Sequence, residues 1–416
     1  MTETTSTPPK KAGLRDLLRN RNFRWLWIGQ IISNYGDSLS GLALMILVNR
    51  LTGSTTALAT LIILMVLPQV SVGMLAGVFV DRWNRRRTMI ISDILRGILV
   101  LGFLLVRKAD DLYLLYALSF AQATVGVFFS PARMALLANI VEGEDLLAAN
   151  SISQTSRILF GLLGTASAGV IIGLEGAFSW VFTINALSFF ISAFFTAQIS
   201  SPKSLQEQMQ TSVNIIFSEL VHGVRALFSS RTLVGVLITA TIVMLGLGAV
   251  NVLFVPLLIN DLGLPETWFG AIDGAEVAGM ILGGAATAAL AARLRPTFII
   301  MLGLIVLGIG MGSIAAATKV GHILFIMLPV GLALAPVEAS IATLSQTSVS
   351  DALRGRVGAA LQTMIGAANI TSMALAGVLA DSIGVRSVFV LAGGLAILAG
   401  LMVIPLFGLR HVSRKA

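Results

Sequence analysis

Long apolar segments alternate with short polar ones along nearly the whole chain of 416 residues. A helix needs about 20 residues to cross the hydrocarbon core of a bilayer, which is about 30 Å thick, and twelve segments reach that length. They are residues 22–49, 55–80, 88–106, 112–138, 149–173, 177–198, 232–259, 268–291, 297–317, 320–348, 355–380 and 385–408. The pattern predicts an all-α polytopic membrane protein with twelve transmembrane helices.

The second half of the chain repeats the first. Several residues recur about half a chain later in the same order, as in the pairs Asn49 and Asn260, Pro131 and Pro336, Gln154 and Gln362, and Gly169 and Gly377. Two parallel repeats place a substrate site at the interface between the halves. We therefore expect two pseudo-symmetric units of six helices each.

The longest polar interval divides the chain between these units. The predicted layout is a tail at 1–21, an N-terminal half at 22–199, a linker at 200–231, a C-terminal half at 232–408 and a tail at 409–416. Within the linker, apolar residues recur at helical spacing beside polar ones, which predicts an amphipathic helix.

Composition and charge support a membrane protein and set its orientation. Apolar residues make up 56% and charged residues 12% of the chain, against about 25% charged residues in a soluble domain. Twenty of the 28 Lys and Arg residues fall on the side that holds both termini, and five fall on the other side. The positive-inside rule then predicts that both termini are cytoplasmic, in a multi-pass protein of the cell membrane. The net charge of +8 is explained by this topology and not by nucleic-acid binding.

A short basic connection follows the second segment. It contains Gly77, Asp81, Arg82 and the run from Arg85 through Arg86 to Arg87. Asp81 is expected at the start of the third helix, where free amides and the helix dipole favour an anion. The arginines could bond carboxylates or carbonyl ends of neighbouring helices. We interpret the connection as a gate latch that breaks when this side opens, which Arg133 could join.

Twelve spans in two halves, with this connection, resemble the major facilitator superfamily. Four finer motifs are similar to its drug and siderophore exporter branch, which includes macrolide efflux proteins and the enterobactin exporter. They are Asn34-Tyr-Gly-Asp37-Ser, Phe129-Ser-Pro131-Ala-Arg133, Asp145-Leu-Leu-Ala-Ala-Asn150 and Asp351-Ala-Leu-Arg354-Gly355-Arg356. The resemblance implies a central cavity lined by spans one, four, seven and ten. Two positions depart from it: Gly164-Thr165 replaces the antiporter Gly-Pro pair, and Gln122 stands where span four usually carries an arginine.

Five acids lie inside predicted spans: Asp37, Asp93, Asp273, Glu276 and Glu338. A charge at the bilayer centre costs about 2.5–3.5 kcal/mol on insertion scales, so each needs a partner, a wet cavity or a bound proton. Asp37 and Glu338 lie on spans one and ten, and we favour them as substrate or proton-coupling sites. The alternative for Asp37 is a hydrogen bond that packs helices.

For the other candidate residues, the sequence leaves more than one role open. Asp273 and Glu276 share a helical face and would attract a cation or share a proton, although wetting of an outer vestibule explains them equally well. Asp93 and Arg96 at i and i+3 predict a structural ion pair. Arg157 would meet either a membrane acid or an anionic substrate. Two polar residues, Asn34 and Gln122, complete the candidate set.

These observations favour a secondary transporter that exports an amphipathic small molecule, such as a drug, a macrolide-like compound or a siderophore, by proton antiport with alternating access. An uptake symporter and a lysophospholipid translocase are alternatives with the same fold. A receptor or membrane enzyme would need a folded ligand domain or a catalytic constellation, and the motifs for ATP, a metal or a nucleophile are missing. We expect no cofactor, no metal and no nucleic acid, and a monomer whose partners are protons, lipids and the small molecule.

The predicted topology is tested by reporter fusions. Fusions after Arg87, near Gln206, after Arg356 and at Ala416 should report the cytoplasm, and fusions near Asp110 and Glu175 the outside, because basic connections stay inside. An external signal at Gln206 would contradict the twelve-span arrangement.

Overall fold

A computed structural model describes residues 14–141, 143, 145–173, 178–200, 213–347, 349 and 351–407. All regular secondary structure in these residues is helical. Such a structure suits a bilayer, because a helix satisfies its backbone hydrogen bonds internally where no water is present.

Fifteen α-helices form the described part of the fold. They are α1 (Leu14–Arg19), α2 (Arg21–Thr52), α3 (Thr55–Ser71), α4 (Gly73–Arg82), α5 (Arg85–Gly102), α6 (Leu112–Ile140), α7 (Leu146–Ile172), α8 (Phe178–Ala197), α9 (Val213–Ser229), α10 (Arg231–Pro256), α11 (Phe269–Arg293), α12 (Pro296–Ile314), α13 (Val320–Thr347), α14 (Asp351–Ile383) and α15 (Val385–Phe407). Eleven helices of the described residues are long and apolar enough to cross a membrane, and the number is twelve when the bent pair of α3 and α4 is counted as one span. The predicted all-α fold with twelve spans is confirmed.

The second span is broken, whereas the sequence pattern predicted one continuous helix over 55–80. The axes of α3 and α4 differ by 60° across the break. Pro68 lies within α3, and a proline removes one backbone hydrogen bond and crowds the preceding turn. Gly73, which starts α4, adds backbone freedom at the same place. Together they explain a bend that hydropathy alone does not reveal.

Polar side chains fix several helix ends. Asn20 accepts hydrogen bonds from the amides of the first turn of α2, and Ser54 does the same for α3. The turn between α2 and α3 passes through Gly53 with φ of 61°, a left-handed conformation that favours glycine. Asn84 caps α5 by accepting from the Arg87 amide. The expectation that Asp81 occupies this helix start was wrong, because Asp81 belongs to the last turn of α4.

The helix pairings repeat between the halves as the sequence repeat predicts. In the first half α2 packs on α7 and α8, and α5 packs on α6 and α8. The second half shows the same pattern, with α10 on α14 and α15 and α12 on α13 and α15. The linker helix α9 packs against α14, with Leu227 buried among residues of α10 and α14.

Two equivalent interfaces join the halves: α3 with α14, and α7 with the start of α11. We call the side of the bundle that carries Arg85–Arg87 and Arg293 the basic face, and the side that carries Gly53 the opposite face. Repeat-related glycines lie in these interfaces near the opposite face. A Cβ at Gly377 would lie 2.6 Å from Cβ of Ala59, and one at Gly169 would overlap the Glu266 carbonyl.

Polar bonds between the halves also lie at the opposite face. Asn49 and its repeat counterpart Asn260 exchange two amide hydrogen bonds of 3.0 Å. Arg50 forms an ion pair with Glu266. The Asp381 carboxylate accepts from five groups at the start of α3: the hydroxyls of Ser54, Thr55 and Thr56 and the backbone amides of Thr55 and Thr56. The structure is therefore closed at the opposite face.

Gly377→Val should loosen this closure. Overpacking a tight contact costs about 1–3 kcal/mol, and 1 kcal/mol already changes a population about fivefold. The chain has no cysteine, so a single Asn49→Cys reporter can be alkylated cleanly in purified protein. Asn49 is only 4% exposed, and we expect its alkylation to be at least about fivefold faster in the Gly377→Val background.

The matched control is Gly394→Val on α15, where an added Cβ meets nothing within 4 Å. Alkylation should stay at the parental rate in this control. Equal rates in both backgrounds would contradict the assignment of Gly377 to a tight closing contact.

Candidate functional site

A cavity of about 580 Å³ lies between the two halves. Its walls come from α2 and α7 of the first half and from α11 of the second half. The lining residues are Asn34, Asp37, Ser38, Arg157, Ile158, Gly161, Leu162, Thr165, Asp273, Glu276, Val277 and Met280. Five of the predicted site residues thus meet in one place, at the interface where the sequence repeat predicted a site.

Small residues allow α2 and α7 to approach closely beside this cavity. A Cβ at Gly161 would lie 3.2 Å from the Ser38 hydroxyl, and one at Gly164 would overlap the Tyr35 carbonyl. Glycine at these positions therefore permits helix packing that larger residues would prevent. The close approach places Asp37 of α2 and Arg157 of α7 on the same cavity wall.

Asp37 combines depth in the protein with access to the cavity. It is the 17th residue of α2, near the middle of this 32-residue helix, yet 40% of its side chain is exposed. Because it lies deep in the bundle and lines two cavities, this exposure is to the interior space. A carboxyl group at this place can exchange protons or meet a solute.

A buried arginine lies beside Asp37. Arg96 Nη1 of α5 is 3.6 Å from Asp37 Oδ2, and the other terminal nitrogen of Arg96 bonds the fully buried Asp93. The guanidinium lies between two rings, 4.4 Å from the centroid of Phe129 and 4.3 Å from that of Phe189. The predicted pair of Asp93 and Arg96 is present, and the structure adds Asp37 as a second acid on the same cation.

A smaller cavity of about 210 Å³ adjoins this cluster. Asp37 and Arg96 line it together with Gln122 and Ser119 of α6 and Met65 of α3. Gln122 therefore lies beside the membrane-embedded cation that Arg96 supplies. The sequence analysis did not predict the contact between Asp37 and Arg96. The available signal was a glutamine, Gln122, in span four together with an arginine inside span three.

Acids outnumber cations at the interface between the halves. The central cavity holds Asp37, Asp273 and Glu276 against Arg157, and the charge of Arg96 is shared with Asp93. Such an arrangement attracts cations or retains protons. Among the described residues, no group of three or more acid, histidine or cysteine side chains has the geometry of a metal site.

Glu338 lies in a different pocket, so the structure does not join it to Asp37. This pocket of about 510 Å³ is formed by α10, α13 and α14 within the second half. Its walls are mostly apolar, and its polar members are Glu338, Ser345 and Gln362. A carboxylate in apolar surroundings suits the charged end of an amphipathic molecule.

The basic connection contacts helices of its own half. Arg86 donates to the last carbonyls of α8, at Thr196 and Ala197, and Arg85 donates to the Ala135 carbonyl of α6 at 3.5 Å. The predicted bonds from the arginines to helix ends are therefore present, within the first half. Asp81 is exposed, and no bond between Arg133 and Asp81 is found among the described side chains. Gating by Gly77, Asp81 and Arg82 stays a prediction.

Comparison with known proteins decides the family. The sequence pattern of the Major Facilitator Superfamily matches residues 26–360 and also residues 236–416. The chain belongs to the major facilitator superfamily. It is a multi-pass transporter, and its relatives include efflux pumps. The resemblance predicted from the motifs is confirmed.

Two of the relatives match over nearly their full length. An uncharacterized transporter of this superfamily from Bacillus subtilis, YfiS, is 29% identical over 402 residues, which cover 93% of this chain and 94% of the relative. Macrolide efflux protein A of Streptococcus pyogenes is 23% identical over 381 residues, which cover 90% and 93%. The crystal structure of the nucleoside transporter NupG superposes with a TM-score of 0.74 at 13% identity, covering 93% of this chain and 99% of that one. The last likeness concerns the fold alone.

Proposed function

We propose that this transporter exports an amphipathic small molecule from the cytoplasm in exchange for protons. The observation that carries the proposal is the shared cavity, in which Asp37 of the first half faces Asp273 and Glu276 of the second half. Carboxyl groups in a membrane interior can bind and release protons as access to water changes. A site between the halves changes its access when the halves rock against each other.

The closure at the opposite face indicates which state of the transport cycle the structure represents. The bonds of Asn49 with Asn260 and of Arg50 with Glu266 hold the halves together there. With the basic face in the cytoplasm, as the positive-inside rule favours, this arrangement is the state that receives substrate from inside the cell. The bonds at the opposite face then break when the substrate is released outside.

The pocket around Glu338 and the relatives support an amphipathic substrate. Apolar walls with one carboxylate and two neutral polar groups fit a molecule with a large apolar part and few polar groups. The full-length similarity to a macrolide efflux protein agrees with cargo of this kind. Uptake symport and lipid translocation differ from this proposal in the direction of transport and in the cargo, so vesicle experiments separate them.

Asp37→Asn should uncouple transport from the proton gradient. The amide cannot bind and release a proton, so uphill export should fail while downhill exchange continues. The measurement is accumulation of ethidium and erythromycin in a bacterial host without its own drug exporters, followed by uptake of the exported probe into inverted vesicles with and without a proton gradient.

Asp110→Asn is the control, because Asp110 is 81% exposed at its side chain and contacts only Lys108 among the described ion pairs. It should transport like the parent. If cells that express the parent accumulate both probes to the same level as host cells without the protein, export of amphipathic molecules is contradicted. Uphill transport by Asp37→Asn would assign the proton to Asp273, Glu276, Glu338 or no carboxyl group.

A further inference from the structure

Arg96 stands between two carboxylates that have different access to the cavity. Asp93 is fully buried, and 9% of the Arg96 side chain is exposed, whereas 40% of the Asp37 side chain is exposed. Asp93 and Arg96 together are neutral, so burying them as a pair costs less than burying either charge alone. Asp37 is the additional acid, and it is the member of the cluster that a proton from the cavity can reach.

The guanidinium has little freedom to leave this place. Phe129 of α6 and Phe189 of α8 place their rings against it, and cation–π contacts are strongest when the arginine is desolvated. Arg96 Nε has no hydrogen-bond partner in the described structure. The electrostatic effect of the pair on Asp37 depends on how completely Asp93 compensates the charge of the arginine.

We propose that Asp93 and Arg96 are positioning residues that set the proton affinity of Asp37. The inference rests on the proposed proton exchange and adds the mechanism that tunes it. Arg96 favours the ionised Asp37, and Asp93 limits this effect by sharing the cation. Asp37 then has an intermediate proton affinity, so that it can both bind a proton from the cavity and release it.

Substitutions of Asp93 and Arg96 leave the other charged groups that face Asp37 unchanged. These groups are Arg157 of α7 and Asp273 and Glu276 of α11. The adjoining part of α6 contributes the neutral Ser119 and Gln122, and α3 contributes Met65. Substitutions of Asp93 and Arg96 therefore change the charges on the α5 side of Asp37, and the charged groups that line the central cavity stay the same.

The experiment is an infrared titration of purified full-length protein, which needs no known substrate. The carbonyl band of protonated carboxyl groups is followed against pH, and the part that Asp37→Asn removes is assigned to Asp37. Asp93→Asn leaves Arg96 uncompensated, so we expect the midpoint of the Asp37 band to move to lower pH by about one unit. Arg96→Gln removes the cation, so we expect a move to higher pH by about one to three units.

The double variant Asp93→Asn with Arg96→Gln guards against misfolding of the single variants, because it buries neither charge alone. We expect its midpoint to lie between those of the two single variants. Transport of ethidium in proteoliposomes should show the same order of pH optima. Equal midpoints in the parent and in the double and single variants would overturn the positioning role.

The outcomes separate this inference from the proposed function. If ethidium and erythromycin transport by the parent is independent of pH while the Asp37 band still moves in the two single variants, proton coupling fails and the electrostatic control of Asp37 holds. If transport depends on pH and the band does not move, coupling stands and the roles of Asp93 and Arg96 are wrong.

Discussion

Charged groups inside a bilayer must be paired or must face water, and this constraint organises the protein. A lone charge in hydrocarbon costs several kcal/mol, so every membrane-embedded ionisable group restricts the packing around it. Asp93 and Arg96 satisfy the constraint by pairing inside the first half. Asp37, Asp273, Glu276 and Arg157 satisfy it by lining a cavity between the halves. The ionisable groups that are not neutralised by a buried partner therefore line the cavity, where protons and solutes can reach them.

The duplicated architecture explains why this cavity can alternate in access. Equivalent interfaces, α3 with α14 and α7 with α11, join the halves, and equivalent glycines, Gly169 and Gly377, let the helices approach there. Asn49 and Asn260 are repeat-related residues that bond each other between the halves. At one face of the bundle, closure thus combines tight helix packing with amide hydrogen bonds, the ion pair of Arg50 with Glu266 and the bonds that Asp381 accepts.

Much of this fold could be predicted from the sequence, because the bilayer makes long apolar helices obligatory. The twelve spans and the two halves follow from hydropathy and the repeat, and the pair of Asp93 and Arg96 follows from helical spacing. The contact of Arg96 with Asp37 could not be predicted, because it depends on how α2 and α5 pack. The bend at Gly73 and the cap at Asn84 depend on local backbone geometry. The separation of Glu338 from Asp37 depends on which helix faces line each cavity.

The most direct test of the account is proton movement driven by substrate alone. Proteoliposomes that contain the purified protein and an internal pH-sensitive dye would receive an inward gradient of ethidium, whose fixed positive charge takes up no proton, with no imposed pH difference or membrane potential. The account predicts that protons leave the vesicle interior as the substrate enters, and that protein-free vesicles show no such change. Protons that enter together with the substrate, or substrate entry without proton movement, would contradict antiport.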